Sequence, residues 1–182
     1  MQNEVVTLSS RVAYENRWLR VREDRIRRAD GSDGLYGVVE RSDFVVLLPW
    51  QDGCLTLVEQ YRYPIRARQW ELPMGTWEQA PGTDPALLAA AELREETGLI
   101  AARLQPIGSI LQGPGYCSQR GHVFLATGLT QGPTEREASE QDMICRALPL
   151  AEVEAMARDG VLQDACSLAA LALARLKGVF GP

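Results

Sequence analysis

The chain has 182 residues, 46% hydrophobic and 24% charged, which is room for one domain with a real core but not for two. A net charge of −5 argues against nonspecific nucleic-acid binding over the whole surface, and no apolar run approaches the roughly 18 residues of a membrane span. Cys54, Cys117, Cys145 and Cys166 are widely spaced and form no CxxC pair, so structural zinc is not expected and free thiols in a reducing compartment are. The opening MQNEVVTLSS lacks the basic segment and apolar core of a signal peptide, and a cytoplasmic location is the default expectation.

From Arg11 to Arg28 aromatic and branched residues alternate with charged ones, which predicts a half-exposed strand pair or one long bent strand ending at the turn ADGSDG. Arg20, Arg22, Arg25, Arg27 and Arg28 could present an anion-binding surface, although a solvated strand face explains them more simply. Leu35 to Glu40 reads as another strand. Phe44 to Trp50 and Cys54 to Tyr61 are apolar strands joined by a hairpin turn at Gln51, Asp52 and Gly53.

The second of these strands runs into EQYRYPIRARQWELPMG, where Arg62 stands beside Tyr61 and Tyr63, and Arg66 and Arg68 precede Trp70 and Glu71. Guanidinium groups beside aromatic rings suit a nucleotide, the ring stacking on a base while the fork grips phosphate. A plain surface cluster is the competing reading.

Gly75 to Leu99 is the stretch around which the rest is organised. Asp84 can cap a helix that starts at Pro85, where a missing N–H costs nothing, and Gly98 can end it in the left-handed conformation. Within it Glu92, Glu95 and Glu96 stand at i, i+3 and i+4, crowding carboxylates on one face with no basic residue four positions from Glu92 or Glu96. A hard cation such as Mg²⁺ or Mn²⁺ resolves that repulsion, since it takes oxygen ligands and keeps positions for water and phosphate. For a bare ExxEE a solvated acidic face would be the better explanation; the glycine- and proline-containing loop leading into this helix favours the metal.

Leu104 to Leu111 is a predicted strand leading to the loop GPGYCSQR, whose glycines can bring backbone and the Tyr116 ring close to a ligand. His122 lies in a strand of alternating apolar residues, which suits a structural histidine. The acidic loop TQGPTEREASEQ runs into a further strand. Pro149 to Asp159 and Asp164 to Lys177 read as helices, the second with Leu168, Leu171, Ala172 and Leu176 as a core stripe.

Gly75 to Leu99 resembles the Nudix box, Gly-x5-Glu-x7-Arg-Glu-U-x-Glu-Glu-x-Gly-U with U a bulky aliphatic residue. Glu92, Leu93, Glu95, Glu96, Gly98 and Leu99 fall on its second half. In the first half Ala91 stands for the family's arginine and Thr83 for its earlier glutamate, and Gly75 reaches the box only with two extra loop residues around Gln79 and Ala80. The preceding QYRYP and WELPMG look like the ADP-ribose and nucleoside-diphosphate-sugar pyrophosphatase branch of that family, and the loop after the helix resembles a PGxSxE motif with Gln119 in the acidic place.

The resemblance implies an α/β sandwich of α/β/α type, with helices flanking a mixed sheet and an N-terminal antiparallel strand extension. It implies that residues 1–40 pair with a second subunit and that residues 41–182 form the hydrolase domain. The implied reaction is Mg²⁺- or Mn²⁺-dependent hydrolysis of the diphosphate bond of ADP-ribose or a related nucleoside-diphosphate sugar, giving nucleoside monophosphate and sugar phosphate. Glu92, Glu96 and the Met74 carbonyl would hold metal, with Glu95 a third ligand or a water-orienting group. Glu140, then Glu137, would orient or deprotonate the attacking water, and Arg62, Tyr61, Glu71 and Tyr116 would contact substrate. The alternatives are a Nudix enzyme acting on another nucleoside diphosphate derivative or a triphosphate, and a catalytically weak nucleotide-binding domain, for which Thr83, Ala91 and Gln119 speak. No nucleic-acid or membrane partner is expected.

Overall fold

A computed structural model describes residues 4–77, 82–133 and 142–181. β1 (Val5–Glu15), β2 (Arg20–Arg28) and β3 (Asp33–Glu40) form a separate three-stranded antiparallel sheet in the order β1-β2-β3. β1 starts at Val5, six residues before the expected Arg11, because β2 is long enough to pair Val5 with Arg28. The chain turns between them where the Asn16 side chain accepts from the backbone N–H groups of Trp18 and Leu19, an Asx turn. Arg20 pairs with Glu15, Arg22 with Asp24 and Glu40, and Arg27 with Asp33, so these three arginines of β2 are committed to ion pairs.

After β3 the chain enters a seven-stranded sheet made by β4 (Phe44–Gln51), β5 (Cys54–Arg62), β6 (Ala67–Glu71), β7 (Met74–Gly75), β8 (Leu99–Leu111), β9 (Arg120–Gln131) and β10 (Ile144–Pro149). Its main order is β10-β5-β4-β9-β8, with β6 on β5 and β7 on β4. β4 and β9 are parallel and the other pairs antiparallel, which makes the sheet mixed. Asp52 and Gly53 both take positive φ in the β4–β5 turn, as a tight hairpin following the strand twist requires.

β4 is apolar from Phe44 to Trp50 because both of its faces are covered there. Val45 and Leu47 pack with Leu88, Ala89 and Leu93 of α1 (Pro85–Thr97) on one side. Phe44, Val46 and Leu48 belong to the other core, with Val153 of α2 (Leu150–Arg158) and Ala170, Leu171 and Ala174 of α3 (Ala165–Leu176). The result is the expected α/β/α sandwich.

α1 is bounded as its sequence predicts: the Asp84 side chain accepts from Ala86 N at 2.9 Å, Pro85 opens the helix, and Gly98 closes it at φ 75°. The stripe expected on α3 is corrected. Leu176 is 87% exposed and Leu168 and Ala172 also face solvent, while Cys166, Ser167, Ala170, Leu171 and Ala174 are buried. ACSLAALALARL is apolar nearly all round, so its pattern marks no unique face; the inward one carries mostly small residues, which let the helix lie close to the sheet.

Candidate active site

Between β6 and β7 the strand breaks at Leu72 and Pro73 and changes neighbours, from β5 to β4. Three consecutive residues there are held by three different elements. Leu72 N donates to Ser167 Oγ of α3 at 2.8 Å, Pro73 O accepts from Leu47 N of β4 at 2.9 Å, and Met74 N donates to Glu96 Oε2 of α1 at 3.1 Å. The next residue, Gly75, lies against Glu92: a Cβ built at Gly75 would overlap that carboxylate.

The acidic face of α1 therefore meets the Met74–Gly75 backbone, with Glu96 1% and Glu92 7% exposed. Above this floor opens a cleft of about 790 Å³, whose walls include Glu92, Glu95, Met74, Gly75, Arg62 and Glu71. Glu92, Glu95 and Met74 line the cleft, and Glu96 is bonded to Met74 N at its floor.

Arg62 and Glu71 form a bidentate pair, with Nε to Oε1 at 2.7 Å and a second bond from Nη2 to Oε2. Glu71 is 3% exposed. Its hydrogen bond, opposed by burial and helped by its charge and those of Glu96 and Asp164, raises the Arg62 pKa above the ordinary arginine value. Both residues line the cleft, Arg62 with two of its donors already committed.

Tyr61 and Tyr116 are not brought in. Both are exposed, at 50% and 56%, and neither is among the residues lining the cleft. Tyr116 packs over Gly113, and its carbonyl accepts from Val39 N at 2.7 Å, so it braces the 112–119 loop against β3. Glu137 and Glu140 lie outside the described residues.

Gln119 lines the cleft, is 3% exposed, and donates from Nε2 to Ser42 O at 2.6 Å. An ionised acid there could not make that bond. His122 is structural in its contacts, with Nε2 3.1 Å from Asp43 Oδ2, while Asp43 Oδ1 accepts from Arg120 N.

Trp18 and Arg41 also line the cleft, as do Asp164 and Cys166 at the start of α3, and sequence reasoning singled out none of them for the site. Trp18 arrives from the separate N-terminal sheet, with the Arg17 guanidinium 4.0 Å from its ring centroid. Its only sequence signal was a large aromatic in a polar turn, ENRW. Burial pushes the Cys166 thiol up to about 11, with Asp164 and then Glu71 adding to the effect.

Residues 6–39 match the nucleoside diphosphate sugar hydrolase N-terminal domain, and residues 40–171 match the NUDIX domain. The chain is a Nudix hydrolase. It is 33% identical to the ADP-ribose pyrophosphatase of Mycobacterium tuberculosis over 170 residues, 92% of this chain and 82% of that protein. It is 34% identical to the ADP-ribose pyrophosphatase of Bacillus subtilis over 99 residues, 54% of this chain and 52% of that one. These likenesses place it on the ADP-ribose pyrophosphatase branch of the Nudix family. The fold is also that of a crystal structure of an ADP compounds hydrolase, at TM-score 0.86 and 20% identity over 97% of this chain and 95% of the other.

The divalent ion that Nudix hydrolases of this branch generally use fits the donors present. Glu92 and Glu96 meet a strand whose glycine leaves room for one of them, Glu95 lines the same cleft, and every candidate ligand is an oxygen. Among the described residues no three His, Cys, Asp or Glu side chains form a metal-holding group by themselves. The rest of such an ion's shell would come from backbone oxygen, water and substrate phosphate. Among the described residues no helix of this Nudix hydrolase is long and apolar enough to cross a membrane.

Proposed function

We propose that this Nudix hydrolase cleaves the diphosphate bond of ADP-ribose or a related nucleoside-diphosphate sugar, with Mg²⁺ or Mn²⁺, giving nucleoside monophosphate and sugar phosphate. The observation that carries the reading is the seating of Glu92 and Glu96 against Met74–Gly75 on the floor of a cleft large enough for a nucleotide sugar. The relative from Mycobacterium tuberculosis, an ADP-ribose pyrophosphatase similar over most of both chains, supports the substrate class.

Glu92, Glu96 and the Met74 carbonyl would hold the metal, with Glu95 a third ligand or a water-orienting group. When bound, such an ion neutralises phosphate charge and lowers the pKa of coordinated water. The Met74 N–H fixes Glu96 Oε2, so this carboxylate is oriented before any ligand arrives. Arg62, itself fixed by Glu71, and Arg41 offer positive charge to the diphosphate, and Trp18 offers a ring face to the base. Glu140, with Glu137 second, is assigned to orienting or deprotonating the attacking water.

We also assign residues 1–40 to a dimer-forming extension and residues 41–182 to the hydrolase domain. Val5, Val6, Leu8, Val12 and Tyr14 of the edge strand β1 are each at least 42% exposed, apolar side chains on both of its faces that a second copy would help to cover. A homodimer in the cytoplasm is the expected state.

The deciding experiment is a Mg²⁺-dependent hydrolysis panel of ADP-ribose, ADP-glucose, GDP-mannose, UDP-glucose and a nucleoside triphosphate, with products identified and Glu96→Gln run in parallel. Nucleoside monophosphate plus sugar phosphate, lost in the variant, is the expected result. Pyrophosphate released from the triphosphate, with flat activity on the sugars, would overturn the substrate assignment.

A further inference from the structure

We propose that Ser167 is a positioning residue for the metal-binding floor, holding the Leu72–Gly75 segment from α3 and thereby setting where Glu96 and Glu92 meet it. This inference rests on the metal reading above and adds to it a residue in the C-terminal helix, more than seventy positions beyond the acidic helix face.

The need for such a residue follows from the strand break. β6 pairs with β5 as far as Glu71, and β7 pairs with β4 from Met74, so the chain crosses from one neighbour to the other over Leu72 and Pro73. Pro73 has no N–H, and Leu72 lies fully buried with its own N–H outside either ladder. A buried N–H must find an acceptor. Ser167 Oγ supplies it at 2.8 Å from a side chain that is 0% exposed.

Ser167 is in turn fixed at its backbone. Its N–H donates at 2.7 Å to Asp164 Oδ2, the N-cap of α3. The cap thus holds the serine and the serine holds Leu72. Two peptide units later Met74 N grips Glu96, and one further on Gly75 accommodates Glu92. Leu72, Pro73 and Met74 are consecutive and the proline ring fixes φ between them, so release of Leu72 leaves the Leu47 and Glu96 bonds alone to set the place of the segment that meets both carboxylates. Partners that orient metal ligands without touching the ion typically change metal affinity by about 10- to 100-fold when removed.

The test reads Mn²⁺ binding to the substrate-free protein by electron paramagnetic resonance, with thermal melting and the Mg²⁺ midpoint for hydrolysis alongside. Ser167→Ala should weaken Mn²⁺ binding by about tenfold. Ser167→Thr, which keeps the hydroxyl, should bind near wild type. Val153→Ala, a core truncation in α2, supplies a comparably destabilised chain that should bind Mn²⁺ normally.

Wild-type Mn²⁺ affinity in Ser167→Ala would overturn the proposal, as would equal weakening in Val153→Ala, since the serine would then only support the fold. A wild-type chain that binds no Mn²⁺, like Glu96→Gln, would fail the metal reading itself and take this inference with it. Normal wild-type binding with an unaffected Ser167→Ala would remove the inference alone.

Discussion

Gly75 and Glu92 share one space: the carboxylate of Glu92 fills the position that a side chain on residue 75 would need. The constraint is one of room alone, because Gly75 is not among the glycines with positive φ. Gly75→Ala must push Glu92 off the strand or open α1 away from it. We expect kcat/KM to fall by about 10²-fold, the scale of a misplacement near 1 Å at a reacting centre. Circular dichroism should still show the folded chain; an alanine variant with normal turnover would mean that Glu92 need not sit there.

Glu96 Oε2 accepts from the Met74 backbone N–H, so its charge can be removed while an acceptor for that bond remains. In Glu96→Gln the side-chain carbonyl still accepts from Met74 N. Turnover should drop by about 10²- to 10³-fold with a melting temperature near wild type. Loss of folding along with activity would instead make Glu96 a structural acid.

The parts of this arrangement that sequence reveals are the ones written locally. The bounds of α1 follow from Asp84, Pro85 and Gly98, each acting on its own backbone, and Glu92, Glu95 and Glu96 share a face because helix period dictates it. Contacts between distant segments leave little trace. Ser167 meets Leu72 across 95 positions, and Trp18 reaches the cleft from another sheet. Tyr61 and Tyr116 do not line the cleft, because proximity in sequence to Arg62 and to a glycine loop fixes neither the face of a strand nor the side of a loop on which a ring emerges. On α3 the composition itself hid the answer, since a helix apolar all round carries no period.

Cys166 lines the cleft but should be chemically silent at neutral pH. With its thiol pushed up to about 11, little thiolate is present at pH 8. Iodoacetamide at that pH should spare Cys166 in the folded protein and modify it after denaturation, as peptide mapping would show. The sign of the linked stability is also fixed. The folded chain holds this proton more tightly than the ordinary thiol value of 9.0, so its contribution is full below about pH 9 and is lost as pH rises towards about 11. Cys166→Ser should therefore show a shallower alkaline fall in melting temperature; an identical fall would exclude the thiol as its source.

The exposed apolar residues of β1 yield a test of assembly. Val12 is 51% exposed, so aspartate there costs the isolated chain little. If β1 is covered by a second copy, Val12→Asp buries a charge at the interface and should shift light-scattering mass from about two chains towards one at micromolar protein. Because Trp18 enters the cleft from the same sheet, KM should rise as the dimer is lost. A monomeric wild type would leave these residues without the partner assigned to them.

The Arg62–Glu71 pair separates stability from substrate binding. Arg62→Ala strands Glu71, which is 3% exposed, and should cost about 2 kcal/mol, below the figure for a fully buried pair because the arginine side chain is 40% exposed. Adding Glu71→Gln removes the stranded charge and should restore most of that loss in urea melts. Substrate affinity should not return with it, since the cation facing the cleft is still missing. We expect KM to stay raised by about tenfold in the double variant, the scale of one charge-assisted hydrogen bond. If KM recovers together with stability, Arg62 serves only to neutralise Glu71 and the phosphate falls to another residue.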